Sequence, residues 1–311
     1  DDVIRDWNVK GWGTISYDSG FALSSNVGVT NLIQKYMNRS ILKNYFLKLG
    51  FGSKTNIELP NEVKGKIDFK YPIEVATSGF GQGITTTPIQ NIQALTVISN
   101  NGIMLRPYIV DKIVDPNNGE IVYQGVKREL GRVASNSTIN KIKDLMFKVI
   151  HNDYTTGTGY SYNVEGLDVI GKTGTAQIAD GKGGYLDLDR NIKSFAGMFP
   201  KEDPQIIIYA AVREPNDGPS LSSATKKVIE DTAKYLNILQ KNDNTEEIID
   251  YELPSFINKD LNYSKNTLKT NQIPTIILGD GNKVIDQYPK DKVHVSNKDR
   301  VFIITNGSNI K

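Results

Sequence analysis

A lysine and two threonines stand close together in Gly171-Lys172-Thr173-Gly174-Thr175-Ala176-Gln177. The apolar pair Val169-Ile170 precedes them and reads as the start of a strand. On a strand the side chains alternate, so Thr173 and Thr175 share one side, where two hydroxyls could hold a substrate carboxylate. Lys172 then points the other way, toward polar groups lining a cleft. Gly174 lets a substrate backbone approach closely. The backbone N–H after this glycine can steady an oxyanion, a donor of a kind worth about 10²–10³ in rate. A second polar stretch, Ser24-Ser25-Asn26, is of a kind common in loops and by itself suits the cap of a helix.

A different chemistry fits the same letters. Gly166-Leu167-Asp168-Val169-Ile170-Gly171-Lys172-Thr173 satisfies the phosphate-loop pattern G-x-x-x-x-G-K-[ST]. That loop needs a helix opening at the lysine. Here β-branched residues precede Lys172 and Gly174 follows, which predicts a strand instead. An ordinary buried strand is a poor account as well, because a lysine between two glycines is weak strand filler.

The elements that must position these groups follow from periodicity. Residues 1–19 set Trp7, Trp12 and Tyr17 among glycines and read as a loop with aromatic anchors. Apolar residues from Val29 to Leu49 recur at helical spacing, with a break near Asn38-Arg39-Ser40 that makes Ser40 the expected cap of a second helix. Gly50 and Gly52 stop it, and residues 51–84 are glycine-punctuated and irregular. Thr87-Pro88 opens a helix to about Asn100. Short strands fill 103–130 around an Asp115–Gly119 turn, followed by a helix over Ser137–His151. The Asp115–Gly119 turn lacks the later acidic ligands of a calcium loop. The central strand region covers Val164–Ile178, with Asp180–Gly184 as a hairpin loop. Strands over Asn191–Phe199 and Gln205–Arg213 and a helix over Ser222–Leu239 complete the expected domain. This order predicts an α/β domain, a mainly antiparallel sheet flanked by helices, over residues 1–240. Residues 241–249 are polar and read as a linker. Residues 250–311 have their own pattern and read as a small α+β module.

Composition narrows the function. The 311 residues carry 37 basic and 35 acidic side chains, a balance that offers no basic face for nucleic acid. There are no cysteines, which removes disulfides and thiolate metal sites. The two histidines, His151 and His294, lie in no metal-ligand spacing and argue against a Ser-His-Asp triad as the catalytic device. No cofactor is expected. No apolar run is long enough to span a bilayer. Asp1 begins inside what reads as folded sequence, which points to a longer parent.

Taken together, Ser24-Ser25-Asn26 and Lys172-Thr173-Gly174 resemble the motif set of penicillin-binding proteins and serine β-lactamases. The chain is similar to a class B penicillin-binding protein, a D,D-transpeptidase of the Gram-positive division type. The likeness extends through Asp6-Trp7-Asn8, Gly11-Trp12-Gly13, Leu49-Gly50-Phe51-Gly52, Gly81-Gln82-Gly83-Ile84, Asn100-Asn101-Gly102, Arg106-Pro107 and Phe195-Ala196-Gly197. Residues 250–311 resemble a PASTA domain through Gly279-Asp280-Gly281 and Val284-Ile285-Asp286-Gln287-Tyr288-Pro289.

The resemblance implies roles. Ser24 relays a proton, Asn26 binds the substrate's peptide amide, and Lys172 holds the polar network. Thr173 and Thr175 bind the terminal carboxylate, with Gly174 and Gln177 on the same substrate-binding wall. The Thr175 N–H is half of an oxyanion hole. Partners implied are peptidoglycan stem peptides, β-lactam antibiotics and divisome proteins, on the extracellular face of a membrane to which an upstream segment anchors the protein. A β-lactam sensor or inactive homologue with the same pocket, and a peptidoglycan-binding adaptor, are the alternatives. The family's S-x-x-K motif precedes its Ser-x-Asn motif. Ser40-Ile41-Leu42-Lys43, Ser223-Ala224-Thr225-Lys226 and Ser308-Asn309-Ile310-Lys311 match the letters, but all follow Ser24. The nucleophilic serine and its lysine are therefore expected upstream of Asp1, in an N-terminal part of the same protein.

Overall fold

A computed structural model describes residues 3–151, 157–182, 184–185, 190–213, 221–239 and 249–307. The chain divides into two units, Asp1–Gln240 and Lys241–Lys311. The expected polar linker at Lys241–Glu247 lies outside the described residues, as does Ser308–Lys311.

In the first unit, glycines and small polar residues keep the early helices short. These are α1 (Tyr17–Ala22), α2 (Asn26–Tyr36), α3 (Arg39–Lys48) and α4 (Pro72–Ser78). Two of them lie where no helix was expected: α1 in the aromatic loop and α4 in the irregular 51–84 stretch. The cap of α3 also differs from expectation. Asn38, not Ser40, occupies the N-cap, its Oδ1 accepting from the Ile41 N–H at 2.9 Å. Asparagine fits this position because its side chain reaches the third amide while its own backbone stays extended.

Helix α5 (Pro88–Ser99) starts as its residues dictate. Thr87 and Gln90 form a reciprocal capping box with Pro88 in the first turn. Strands β1 (Ile103–Arg106), β2 (Lys112–Val114), β3 (Ile121–Gln124) and β4 (Arg128–Arg132) follow, β1 pairing with β4 and β2 with β3, both antiparallel. Then come α6 (Asn136–His151), β5 (Ile170–Gln177), β6 (Asn191–Phe199), β7 (Ile206–Arg213) and α7 (Leu221–Tyr235). The central strand is shorter than the expected Val164–Ile178, because Val164 and Leu167 bridge each other in a tight turn around Gly166, whose φ is +73°.

Strands β5, β6 and β7 form an antiparallel sheet in that order, which leaves β5 at an edge among the described residues. The sheet has apolar cover on both faces. On one, Phe195 lies against Tyr162, Ile229 and Ala233. On the other, Ile170 and Met198 pack on Met146 of α6. Gly171 stands opposite Gly197, and the Phe195 ring crosses over both. A Cβ at either glycine would come within 2.6 Å of that ring. The ring stacks on Tyr162 at 3.8 Å between centroids. Phe195 thereby locks the strand that carries Lys172 onto the core.

The second unit contains β8 (Tyr251–Glu252), α8 (Leu261–Thr270), β9 (Thr275–Leu278), β10 (Val284–Tyr288), β11 (His294–Val295) and β12 (Val301–Thr305). β12 is central, parallel to β9 and antiparallel to β10, and β8 pairs with β11. Its own core gathers Leu253, Phe256, Leu268, Val284 and Ile303. Buried Gln287 ties it together by accepting from the Phe256 N–H at 2.6 Å.

Candidate active site

The Ser-Ser-Asn stretch is the joint between two helices. Helix α1 ends with the Ser25 N–H bonded to the Gly20 carbonyl at 2.8 Å and the Ser24 N–H to the Phe21 carbonyl at 3.1 Å. This is a Schellman ending, and it demands a left-handed residue at Ser24, where φ is +57°. Glycine usually fills that position, since a Cβ there is disfavoured by roughly 1–2 kcal/mol. A serine held in this conformation marks strain kept for a side-chain purpose. The next residue, Ser25, caps α2 by accepting from the Gly28 N–H at 2.9 Å.

A preceding segment clasps this joint. The Asp6 carboxylate accepts from Ser25 Oγ at 3.0 and 3.1 Å and from the Val27 N–H at 3.0 Å. Its charge also suits the positive end of α2. Trp7 Nε1 donates to the Leu23 carbonyl at 3.0 Å, and Asn26 Nδ2 to the Arg5 carbonyl at 3.1 Å.

Strand β5 supplies the facing wall. The phosphate-loop alternative fails here, because Lys172 and Thr173 lie within a strand paired to Ala196 and Phe195 and no helix opens at the lysine. Lys172 Nζ donates to Ser24 Oγ at 2.6 Å and to the Thr173 carbonyl at 3.1 Å. It lies 5.8 Å from the centre of the Phe21 ring. No carboxylate forms an ion pair with it among the described residues. Burial without a counter-charge pushes the Lys172 ammonium down from the ordinary 10.5 to about 8. Near neutral pH such an amine can give up or hold a proton with little cost, and the Ser24 hydroxyl is its immediate partner.

Thr173 Oγ1 shares a 2.6 Å hydrogen bond with Thr158 Oγ1. Thr175 is exposed farther along the strand, and Gly174 and Gln177 line the same cleft. A Cβ at Gly174 would meet Ser194 Oγ at 2.6 Å, so glycine keeps that wall open. The cleft encloses about 1070 Å³, with Asp6, Trp7, Ser24, Asn26, Lys172 and Thr175 among its lining residues. The structure thus joins Lys172 directly to Ser24. Asn26 faces the same space, but its amide donor is engaged by Arg5.

Sequence reasoning missed the clasp by Asp6 and the contact from Thr158. The signal for Asp6 was present in Asp6-Trp7-Asn8; its partner could not be read without the turn at Ser24. Thr158 stands between Gly157 and Gly159, a flanking that marks close approach to another chain segment. Of the Ser-x-x-Lys matches, Ser40 and Ser223 are exposed on α3 and α7. The third falls outside the described residues. No cluster of three or more metal-ligating side chains occurs among the described residues. No helix among them is long and apolar enough to cross a membrane.

Comparison with known proteins identifies the family. The family described as the penicillin binding protein transpeptidase domain matches residues 1–234. Stage V sporulation protein D of Bacillus subtilis is 29% identical over 96% of this chain and 48% of its own length. Penicillin-binding protein PbpB of Mycolicibacterium smegmatis is 32% identical over 71% of the chain and 35% of its own length. The chain therefore spans about half, or less, of the curated relatives it matches. Among solved structures, penicillin binding protein 2X from Streptococcus thermophilus aligns with a TM-score of 0.64 at 30% identity, over 94% of this chain and 44% of that one. Penicillin binding protein 3 from Mycobacterium tuberculosis, complexed with ampicillin, aligns at 0.66 and 26% identity over 73% and 52%. The strand that carries Lys172 and the helix joint that carries Ser24 thus lie in a chain that belongs to the penicillin-binding protein transpeptidase family.

Proposed function

We propose that this chain forms the substrate-gripping and proton-relay half of a serine D,D-transpeptidase that cross-links peptidoglycan stem peptides and is acylated by β-lactams. The observation that carries the reading is the 2.6 Å bond between Lys172 Nζ and Ser24 Oγ, at an amine that burial holds near neutrality. In the acylation step a serine hydroxyl attacks the donor carbonyl, its proton passes to a base, and the leaving amine is protonated. The Ser24–Lys172 pair is suited to carry that proton. Strand β5, at the sheet edge, can pair its backbone with an extended substrate segment. Thr173 and Thr175 then take the terminal carboxylate, Asn26 the peptide amide, and the Thr175 N–H the oxyanion. Gln177 contacts the substrate beyond Gly174.

The attacking serine comes from an S-x-x-K segment outside this chain, because Ser40 and Ser223 lie on exposed helical faces and neither bonds Lys172. Residues 1–240 are the transpeptidase domain in this reading. Residues 250–311 are a PASTA domain of a class B, Gram-positive division-type enzyme, anchored on the outer face of the cell membrane and working with divisome proteins.

Labelling of the full-length protein with a fluorescent penicillin, followed by peptide mapping, tests this. The expected product is an acylated serine within an S-x-x-K peptide outside residues 1–311. An acyl group on Ser40, Ser223 or Ser24 would overturn the site assignment, and absence of any label would overturn the enzyme reading.

A further inference from the structure

A second concavity, of about 350 Å³, lies between the connection after α3, helix α5 and the β1–β4 ribbon, and shares no lining residue with the cleft. Helix α5 sends two buried glutamines toward this region, one turn apart. Gln90 is fully engaged: its Nε2 donates to the Ser53 and Lys64 carbonyls at 2.6 and 2.8 Å, and its Oε1 accepts from the Thr87 N–H at 3.0 Å. Gln93 is only 3% exposed and lines the concavity, yet no hydrogen bond engages its carboxamide among the described residues. The little of Gln93 that is accessible opens into the concavity, where its carboxamide can meet a ligand.

The charges around it point to the missing partner. Antiparallel pairing sets Arg106 directly opposite Arg128, and like charges facing across a ladder repel. Lys54 adds a third cation to the same wall. Arg128 has neither ion pair nor side-chain hydrogen bond among the described residues. Arg106 is engaged along one edge of its fork, Nε and Nη2 both donating to the Asn56 carbonyl, and Nη1 is left over. Two neighbouring carboxylates face two of these cations, Glu58 toward Arg106 and Glu62 toward Lys54, and both also hold backbone amides, which leaves Arg128 as the cation without one among the described residues. Glu62 accepts from the Thr55 and Asn56 N–H groups at 2.6 and 2.9 Å, and Glu58 from the Ile109 N–H at 3.1 Å.

We propose that this concavity is a binding site for a phosphoryl group carried on a small polar molecule. A dianion between Arg106 and Arg128 relieves their opposition, takes bidentate hydrogen bonds from the Arg128 fork and one from Arg106 Nη1, and accepts from Gln93 Nε2. Two facing arginines present more N–H donors than one carboxylate can accept, which favours the several oxygens of a phosphate.

Calorimetric titration of the full chain with inorganic phosphate, at ionic strength held constant with sodium chloride, is the test. Saturable binding is expected, with acetate weaker. The exposed change R128Q should weaken phosphate at least about tenfold, the effect of losing a charge-assisted hydrogen bond. K54Q should weaken it less, and both variants should keep the wild-type circular dichroism. No saturation by phosphate, equal binding of acetate, or wild-type affinity in folded R128Q would each overturn the proposal. Penicillin labelling of the full-length protein is read separately, so the two outcomes do not depend on one another.

Discussion

Two lysines of the first unit lose their surroundings of water in different company. Lys143, on α6, is 4% exposed and donates to the Glu202 carbonyl at 3.0 Å. Burial lowers its proton affinity, while the nearby Glu202 and Asp203 carboxylates pull it back up. Lys172 has a neutral hydroxyl, a carbonyl and an aromatic face as neighbours, and burial alone sets its affinity. The degree of desolvation and the partners together separate a lysine that holds a chain turn in place from one poised to exchange a proton.

That contrast can be broken most sharply in the full-length enzyme. K172M should slow acylation by penicillin about 10²–10⁴-fold, the usual worth of a positioned acid–base group. K143M should leave the acylation rate within a few-fold and register in denaturation instead. Second-order rate constants with a fluorescent penicillin check both, and equal losses would erase the distinction.

The next effect concerns the strained residue that Lys172 contacts. S24G removes the hydroxyl but relaxes the left-handed backbone, so activity and stability should part. Acylation should fall about 10²-fold or more, while urea denaturation of the chain should show a gain of about 1 kcal/mol. A variant that loses stability would contradict the strain argument.

A pH effect follows from the depressed affinity of Lys172. Between pH of about 8 and 10.5 the folded chain has released a proton that the unfolded chain still holds on this residue. Its contribution to stability therefore rises with pH across that window. The stability difference between the wild type and K172M should change over the same interval and stay flat below it, as read by denaturation at pH 7 and pH 10.

The smallest effect belongs to the second unit. His294 Nδ1 bonds Asp250 at 2.8 Å, and this bond, then the charges of Asp250 and Glu252, raise its proton affinity. The contribution is full below the unfolded value near 6.5 and is lost as pH rises through the folded one. Amide exchange in β8 and β11 should accordingly be slower at pH 5.5 than expected from its pH 8 rate, and D250N should remove the difference.

Local signals carried much of this fold. Thr87-Pro88 with Gln90 announced the start of α5, and the β-branched run Ile206–Ile208 announced β7. Helix α1 was hidden because its six residues include Gly20 and because the left-handed residue just past its cap is a serine instead of a glycine. The cap at Asn38 was misread because serine and asparagine both serve there and only the turn geometry chooses. Lys172 was legible as chemistry from its flanking glycines. Its depressed proton affinity was not, since that depends on Phe21, Ser24 and the absence of a paired carboxylate, all set by tertiary packing.

The central claim is that Lys172 stands apart from ordinary lysines by its proton affinity. A pH titration of the chain with ¹³C-labelled lysine, following the ε-carbon resonances by NMR and assigning Lys172 through K172M, measures it directly. A Lys172 midpoint at about 8 is the predicted result. A midpoint at the ordinary 10.5, alongside the surface lysines, would contradict the account.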